Sequence, residues 1–217
     1  IVLSGIVLLA PSLFLSALGG ELADRYDKGR VASWLKLAEI PIAAIAALGF
    51  VLHSVPVLFV ALAGFGIIIA LFGPLKYGFL PERLSTEELA TGNALVEGAT
   101  FLAILAGTIF GGVLMTELES TDTVIAVVMV LAIACWISAR LIPFQGPAAP
   151  DLPLTKNVLG STLRLLGELK SESRLWTGGH IVSFFWMIGF GALSLLPSLI
   201  KDGLGATQGA VTMGLAA

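Results

Sequence analysis

Lys76 and Glu97 are the residues of this chain best suited to handling a charged solute, because each interrupts a long apolar segment beside the same short connection. Lys76 lies five residues before Pro81 and Glu97 six after Thr91, so two helices joined there would hold them at similar depth. An ionisable side chain at the centre of a bilayer costs roughly 2.5–3.5 kcal/mol and normally faces a cavity or a partner. The expectation is a Lys76–Glu97 pair on an inner vestibule, with Tyr77 beside it. The competing reading is that Lys76 snorkels to the interface while Glu97 packs two helices. Glu39 also sits inside an apolar run; Lys36, three residues earlier on the same face, makes a local ion pair the simpler account. His180, one turn beyond Trp176, has the chemistry to sense a headgroup or a proton, although an interfacial His is more often just hydrogen-bonded.

A second concentration of chemistry is Gly20-Glu21-Leu22-Ala23-Asp24-Arg25-Tyr26-Asp27-Lys28-Gly29-Arg30, read as a charged loop between two apolar segments. Asp24 is expected to follow a helix end, where its carboxylate accepts backbone hydrogen bonds or meets the positive end of another helix. Arg25, Lys28 and Arg30 can bridge to acids or to phospholipid headgroups. Catalytic signatures are missing. His53 is followed five residues later by Leu58 and His180 by Phe185, so neither begins the His-x-x-x-x-Asp pair of a membrane acyltransferase. There is no Gly-x-Ser-x-Gly elbow and no phosphate loop. Cys135 stands alone and reads as a buried structural thiol, since a metal site needs partners. Neither an enzyme nor a cofactor is expected within this chain.

The elements that must hold these residues are membrane helices. The chain is 57% hydrophobic and 12% charged, with a mean hydropathy of +0.97, which excludes a monomeric globule in water. Apolar runs cover 1–18, 31–52, 57–80, 94–115, 123–142 and 176–200, and another begins near 206. All but the first and last are long enough to cross about 30 Å of hydrocarbon. The first run has no initiator Met or signal-peptide layout, and both ends are expected to be cut short. Lys and Arg cluster near 19–36, 76–93 and 140–175, which the positive-inside rule makes cytoplasmic, whereas Lys201 is the lone basic residue on the other side. Trp34, Trp136 and Trp176 fall close to that cytoplasmic boundary. The net charge of −3, without a basic block, gives no reason to expect nucleic acid.

Four prolines between Pro143 and Pro153 mark a linker, followed from Leu154 to Ser173 by a pattern that suits an amphipathic helix on the cytoplasmic membrane surface. Gly107 and Gly111 form a small-xxx-small pair for close helix approach, with Gly112 adjacent. Pro11, Pro41, Pro74 and Pro197 are expected to kink their helices.

Gly20-x-Leu22-Ala23-Asp24-Arg25 followed by basic residues resembles the loop between the second and third helices of the major facilitator superfamily, departing at Asp27, where the family usually has Gly. Lys76-Tyr77-Gly78 with Leu80-Pro81, Gly92-Asn93-Ala94-Leu95-Val96-Glu97 and Ala103-Ile104-Leu105-Ala106-Gly107-Thr108 resemble the bacterial lysophospholipid transporter family. They also resemble the transporter domain fused to a 2-acylglycerophosphoethanolamine acyltransferase and acyl-carrier-protein synthetase. Ala23–Lys28 and Lys36–Ile40 fit the fused type.

The resemblance implies an all-α, polytopic fold covering about helices 2 to 8 of 12. Residues 1–142 would be the N-terminal half without its first helix, 143–175 the cytoplasmic linker, and 176–217 the start of the second half. It implies alternating-access transport of lysophospholipid, in particular lysophosphatidylethanolamine, across the bacterial inner membrane for reacylation. The lipid bilayer and an acyltransferase, in cis or in trans, are the expected partners. The loop would latch the halves through Asp24 and Arg25, assisted by Gly20, Lys28 and Arg30. The alternative is an exporter of drugs or other small amphiphiles.

Overall fold

The structure is a computed structural model that describes residues 2–116, 121–154, 157–203 and 205. Among the described residues seven α-helices follow in order: α1 Val2–Arg25, α2 Lys28–Val51, α3 Val55–Gly78, α4 Leu89–Thr116, α5 Thr121–Arg140, α6 Val158–Ser171 and α7 Ser173–Ser198, with a π-helical turn over Leu199–Gly203. Among the described residues, five helices, α1 to α5, are long and apolar enough to cross a membrane. The apolar segment expected from 206 lies outside the described residues, as does Lys156.

The chain divides into two compact units. The larger holds residues 3–94 and 121–165. In it α2 packs against both α3 and α5. Contact is made by small residues: Ala17, Ala23, Ala32, Ala43, Ala61, Ala70, Ala132 and Ala139 are buried, while Leu13, Leu48, Val60 and Val130 are exposed. This reverses the pattern of a water-soluble globule. Hydrocarbon solvates Leu as well as a protein core does, so helix association rests on close packing instead. At Gly19 a Cβ would lie 2.8 Å from the Leu71 carbonyl oxygen, and at Gly66 it would collide with the Leu8 carbonyl, so α1 and α3 touch backbone to backbone. The buried cluster Ala23, Val31, Ala32, Leu75 and Ala139 gathers at the end where α1 passes into α2, flanked by Tyr26, Phe72, Phe79 and Ile142.

The smaller unit, residues 1–2, 95–120 and 166–217, holds most of α4 and all of α7. Phe101 on α4 stacks on Trp186 of α7 with ring centroids 5.9 Å apart.

Several expectations change. The first apolar run is not too short to span, because α1 runs on through Gly19 and Gly20 to Arg25. Glu21, Leu22 and Ala23 are good helix formers, and charge does not end a helix. The charged loop shrinks to Tyr26 and Asp27. Gly20 has open space at its Cβ position; Gly19 is the glycine that packing requires. Gly107 and Gly111 likewise meet nothing within 4 Å among the described residues. Cys135 is exposed on α5 rather than buried. The amphipathic helix exists as α6, and it leans on α1: Ser161 donates to Glu21 at 2.5 Å and Thr162 to the Phe14 carbonyl at 3.3 Å.

Candidate functional site: the α1–α2 turn and its strap

The turn between α1 and α2 is organised by Asp27. Its carboxylate caps α2 by accepting from the Arg30 backbone N–H at 2.9 Å on Oδ1. Oδ2 accepts from the Gln145 and Gly146 backbone N–H groups at 2.8 and 3.0 Å. Gly146 has φ +84°, a left-handed conformation that costs glycine little and turns two successive N–H groups toward one oxygen. Burial would raise the pKa of this carboxyl. The bonds from Gln145, Arg30 and Gly146, with the Arg30 charge, outweigh it and hold the carboxyl below its ordinary value of 3.8.

Asp27 is one of several ties that lash the proline-rich segment 143–152 to the turn. Arg83 donates to the Pro143 carbonyl at 3.3 Å, and the Arg30 guanidinium lies 4.8 Å from the centre of the Phe144 ring. Ala149 N–H donates to the Asp24 carbonyl at 2.7 Å, and Arg25 to the Leu152 carbonyl at 3.1 Å. The expected linker is therefore a strap. Proline explains its extended shape, since each ring removes a donor that a helix would need.

Lys28 enters the protein. Its side chain is 6% exposed and its ammonium pairs with Glu82 of the α3–α4 connection, with Asp24 further off at 3.9 Å. The Gly78 backbone fits against its aliphatic stem. Glu82 is held in a loop ended by a capping arrangement, in which the Glu88 carboxylate accepts from Ser85 N–H at 3.0 Å and from its hydroxyl at 2.8 Å. Those two bonds lower the Glu88 pKa. Asp24, expected to receive backbone hydrogen bonds, instead has a 58% exposed side chain, and Asp27 fills that role.

Glu39, Lys76 and His180 each have a close neighbour on their own helix. Glu39 accepts from Lys36 at 2.5 Å, and the Lys36 ammonium also lies 4.4 Å from the Phe72 ring centre. Lys76, in the last turn of α3, places its ammonium 4.6 Å from the Tyr77 ring centre. Glu97 belongs to the smaller unit and Lys76 to the larger. His180 sits edge-on to Trp176, with Nδ1 2.8 Å from the Trp176 carbonyl oxygen. Sequence reasoning missed Asp27, Glu82 and the Glu21–Ser161 bond. An acid placed just before a helix was the available signal for Asp27.

Among the described residues no group of three or more His, Cys, Asp or Glu is arranged to hold a metal. A cavity of about 420 Å³ opens between α2 and α5 beside the strap, lined by Arg30, Trp34, Leu37, Trp136, Arg140 and Phe144 among others.

Comparison with known proteins places this architecture. The lysophospholipid transporter LplT of Serratia proteamaculans is 31% identical over 208 residues, covering 93% of this chain and 49% of that protein. LplT of Yersinia pestis strain Pestoides F is 32% identical over 207 residues, 93% of this chain and 48% of its own length. LplT of Salmonella gallinarum is 31% identical over 207 residues, 88% and 46% respectively. The chain thus spans about half the length of the curated relatives it matches. No solved structure matches it significantly. The sequence profile of the Major Facilitator Superfamily matches residues 2–217, which with five span-length helices makes this chain a multi-pass membrane protein belonging to that superfamily.

Proposed function

We propose that this chain is part of a secondary transporter that carries lysophospholipid across the bacterial inner membrane, delivering it to an acyltransferase in the same or a separate polypeptide. The observation that carries this reading is the similarity of 93% of the chain to proteins named lysophospholipid transporter. The physical need is plain: a lysophospholipid crosses hydrocarbon only if its charged headgroup is shielded from desolvation. In alternating access, a polar path takes the headgroup while the single acyl chain stays against apolar walls.

Lys76, Tyr77, Glu97, Glu39 and His180 are assigned to that path, with Lys76 and Glu97 acting as a pair. Gly20, Asp24, Arg25, Lys28 and Arg30 form the latch, Lys28 doing so through Glu82 and Arg25 through the strap. Residues 1–142 and 176–217 belong to the two halves, with 143–175 connecting them.

The test is uptake of labelled lysophosphatidylethanolamine by cells expressing the complete polypeptide, with an acyltransferase present. Conversion to the diacyl lipid above vector-only cells is expected, with diacyl lipid itself moved poorly. Uptake equal to vector-only cells, alongside extrusion of amphiphilic drugs, would replace this reading with the exporter.

A further inference from the structure

The cavity between α2 and α5 lies outside the proposed substrate path, and of its lining only Arg30 is shared with the latch. Its mouth carries two cations from opposite helices. Arg30 lies in the first turn of α2 and Arg140 ends α5, so both mark the cytoplasmic end. Each guanidinium rests on an aromatic face, Arg30 on Phe144 at 4.8 Å and Arg140 on Trp136 at 5.4 Å. Among the described residues neither takes part in an ion pair. Asp27 also lines the cavity, yet both of its oxygens are occupied by backbone N–H groups.

The order of side chains along the two helices is the second observation. Moving inward from the cytoplasmic end, α2 presents Arg30, then Trp34 one turn on, then Leu37; α5 presents Arg140, then Trp136 one turn back, then Ile133. Trp34, Leu37 and Ile133 are all exposed, and farther along α2 the outward residues Ile45 and Leu48 continue the apolar track. One turn is about 5.4 Å of rise. Cation, indole and aliphatic levels therefore succeed one another over the distance in which a phospholipid passes from phosphate through glycerol to acyl chain.

We propose that this groove is a binding site for an anionic phospholipid of the cytoplasmic leaflet, its phosphate between Arg30 and Arg140 and its chains against Leu37 and the apolar flank of α2. The aliphatic track selects a lipid over a soluble phosphate. The charge balance selects an anionic headgroup over a zwitterionic one, because two guanidinium groups face one carboxylate that already accepts three backbone N–H bonds, which leaves an excess of positive charge and little acceptor capacity for an ammonium. Bound lipid would also brace Phe144, and through it the strap, against α2. The site is separate from the transported substrate, and its test does not depend on uptake.

Native mass spectrometry of the complete polypeptide, released from micelles holding equal phosphatidylglycerol and phosphatidylcholine, reads the site directly. The wild-type protein should retain phosphatidylglycerol preferentially. Arg30→Gln and Arg140→Gln should each weaken retention roughly 5-fold, and the double variant roughly 25-fold, from about 1 kcal/mol per basic side chain near an anionic lipid surface. Arg30→Lys with Arg140→Lys should fall between, keeping charge but losing the planar fork. Excess glycerol 3-phosphate should displace nothing. Absence of a phosphatidylglycerol preference in the wild type, unchanged retention in the double Gln variant, or displacement by glycerol 3-phosphate would each overturn the proposal.

Discussion

Replacing Asp27 by Asn separates the two jobs of one side chain. Asn caps a helix about as well as Asp, so the bond from Arg30 N–H to Oδ1 should survive. The other position becomes an NH₂ group facing the Gln145 and Gly146 N–H donors, and two bonds to a charged acceptor are lost. Such bonds are worth about 1.5–3 kcal/mol each. Gln145 is exposed and Gly146 only half-buried, so water can rehydrate both, which favours the lower end and a total of about 3 kcal/mol. At 1.4 kcal/mol per factor of ten, release of the strap should become on the order of 100-fold more frequent. Hydrogen exchange followed by mass spectrometry reads this in peptides covering 143–152, where protection should fall, while peptides at the start of α2 keep theirs. Asp27→Ala should lower both. If Asp27→Asn folds and the strap exchanges at the wild-type rate, the carboxylate is not what holds it.

Acid should reproduce that variant in the wild-type protein. The folded carboxyl lies below 3.8, so its stabilisation is fully present above that value and lost as pH falls through the depressed one; the melting gap between wild type and Asp27→Asn should be constant above about pH 5 and close in stronger acid. Glu82→Ala should lower thermal stability by about 2 kcal/mol, less than the 3–5 of a fully buried pair because Glu82 is 31% exposed, and Lys28→Met should cost less since it removes the buried charge itself. Gly66→Ala should destabilise by about 1–3 kcal/mol in melting experiments through overpacking against α1, whereas Gly111→Ala should be neutral. In uptake assays Lys76→Ala and Glu97→Gln should each impair transport, and the double variant should lose less than the sum; additive losses at normal expression would end the pairing.

The membrane helices were legible because hydrocarbon thickness writes itself into sequence as apolar runs of fixed length. Helix ends were less so. Charge at Glu21, Asp24 and Arg25 looked like a loop, yet backbone hydrogen bonding continues through charged residues that favour helix, and α1 absorbed them. The same limit applied to Gly107 and Gly111, since a spacing names a face without naming its neighbour. The strap was visible only as proline; its anchors join Asp27 to residues 118 and 119 positions away, a distance over which no local pattern carries information. The mirrored Arg–Trp spacings on α2 and α5 were likewise present in the sequence, but they acquire meaning only once those two helices are neighbours.

The strap also changes what sort of tether follows α5. A free coil over residues 143–175 would have a root-mean-square span of roughly 30 Å and would pull on its ends only as a soft entropic spring. Here Pro143, Phe144, Gln145, Gly146, Ala149 and Leu152 are held, and Ser161 and Thr162 of α6 are held again on α1. The contour length is still present, but most of the slack is gone. Force applied beyond Thr162 meets a bracket bolted to the α1–α2 turn, so displacement there is delivered to Asp27 and Arg25 as strain rather than dissipated in the chain.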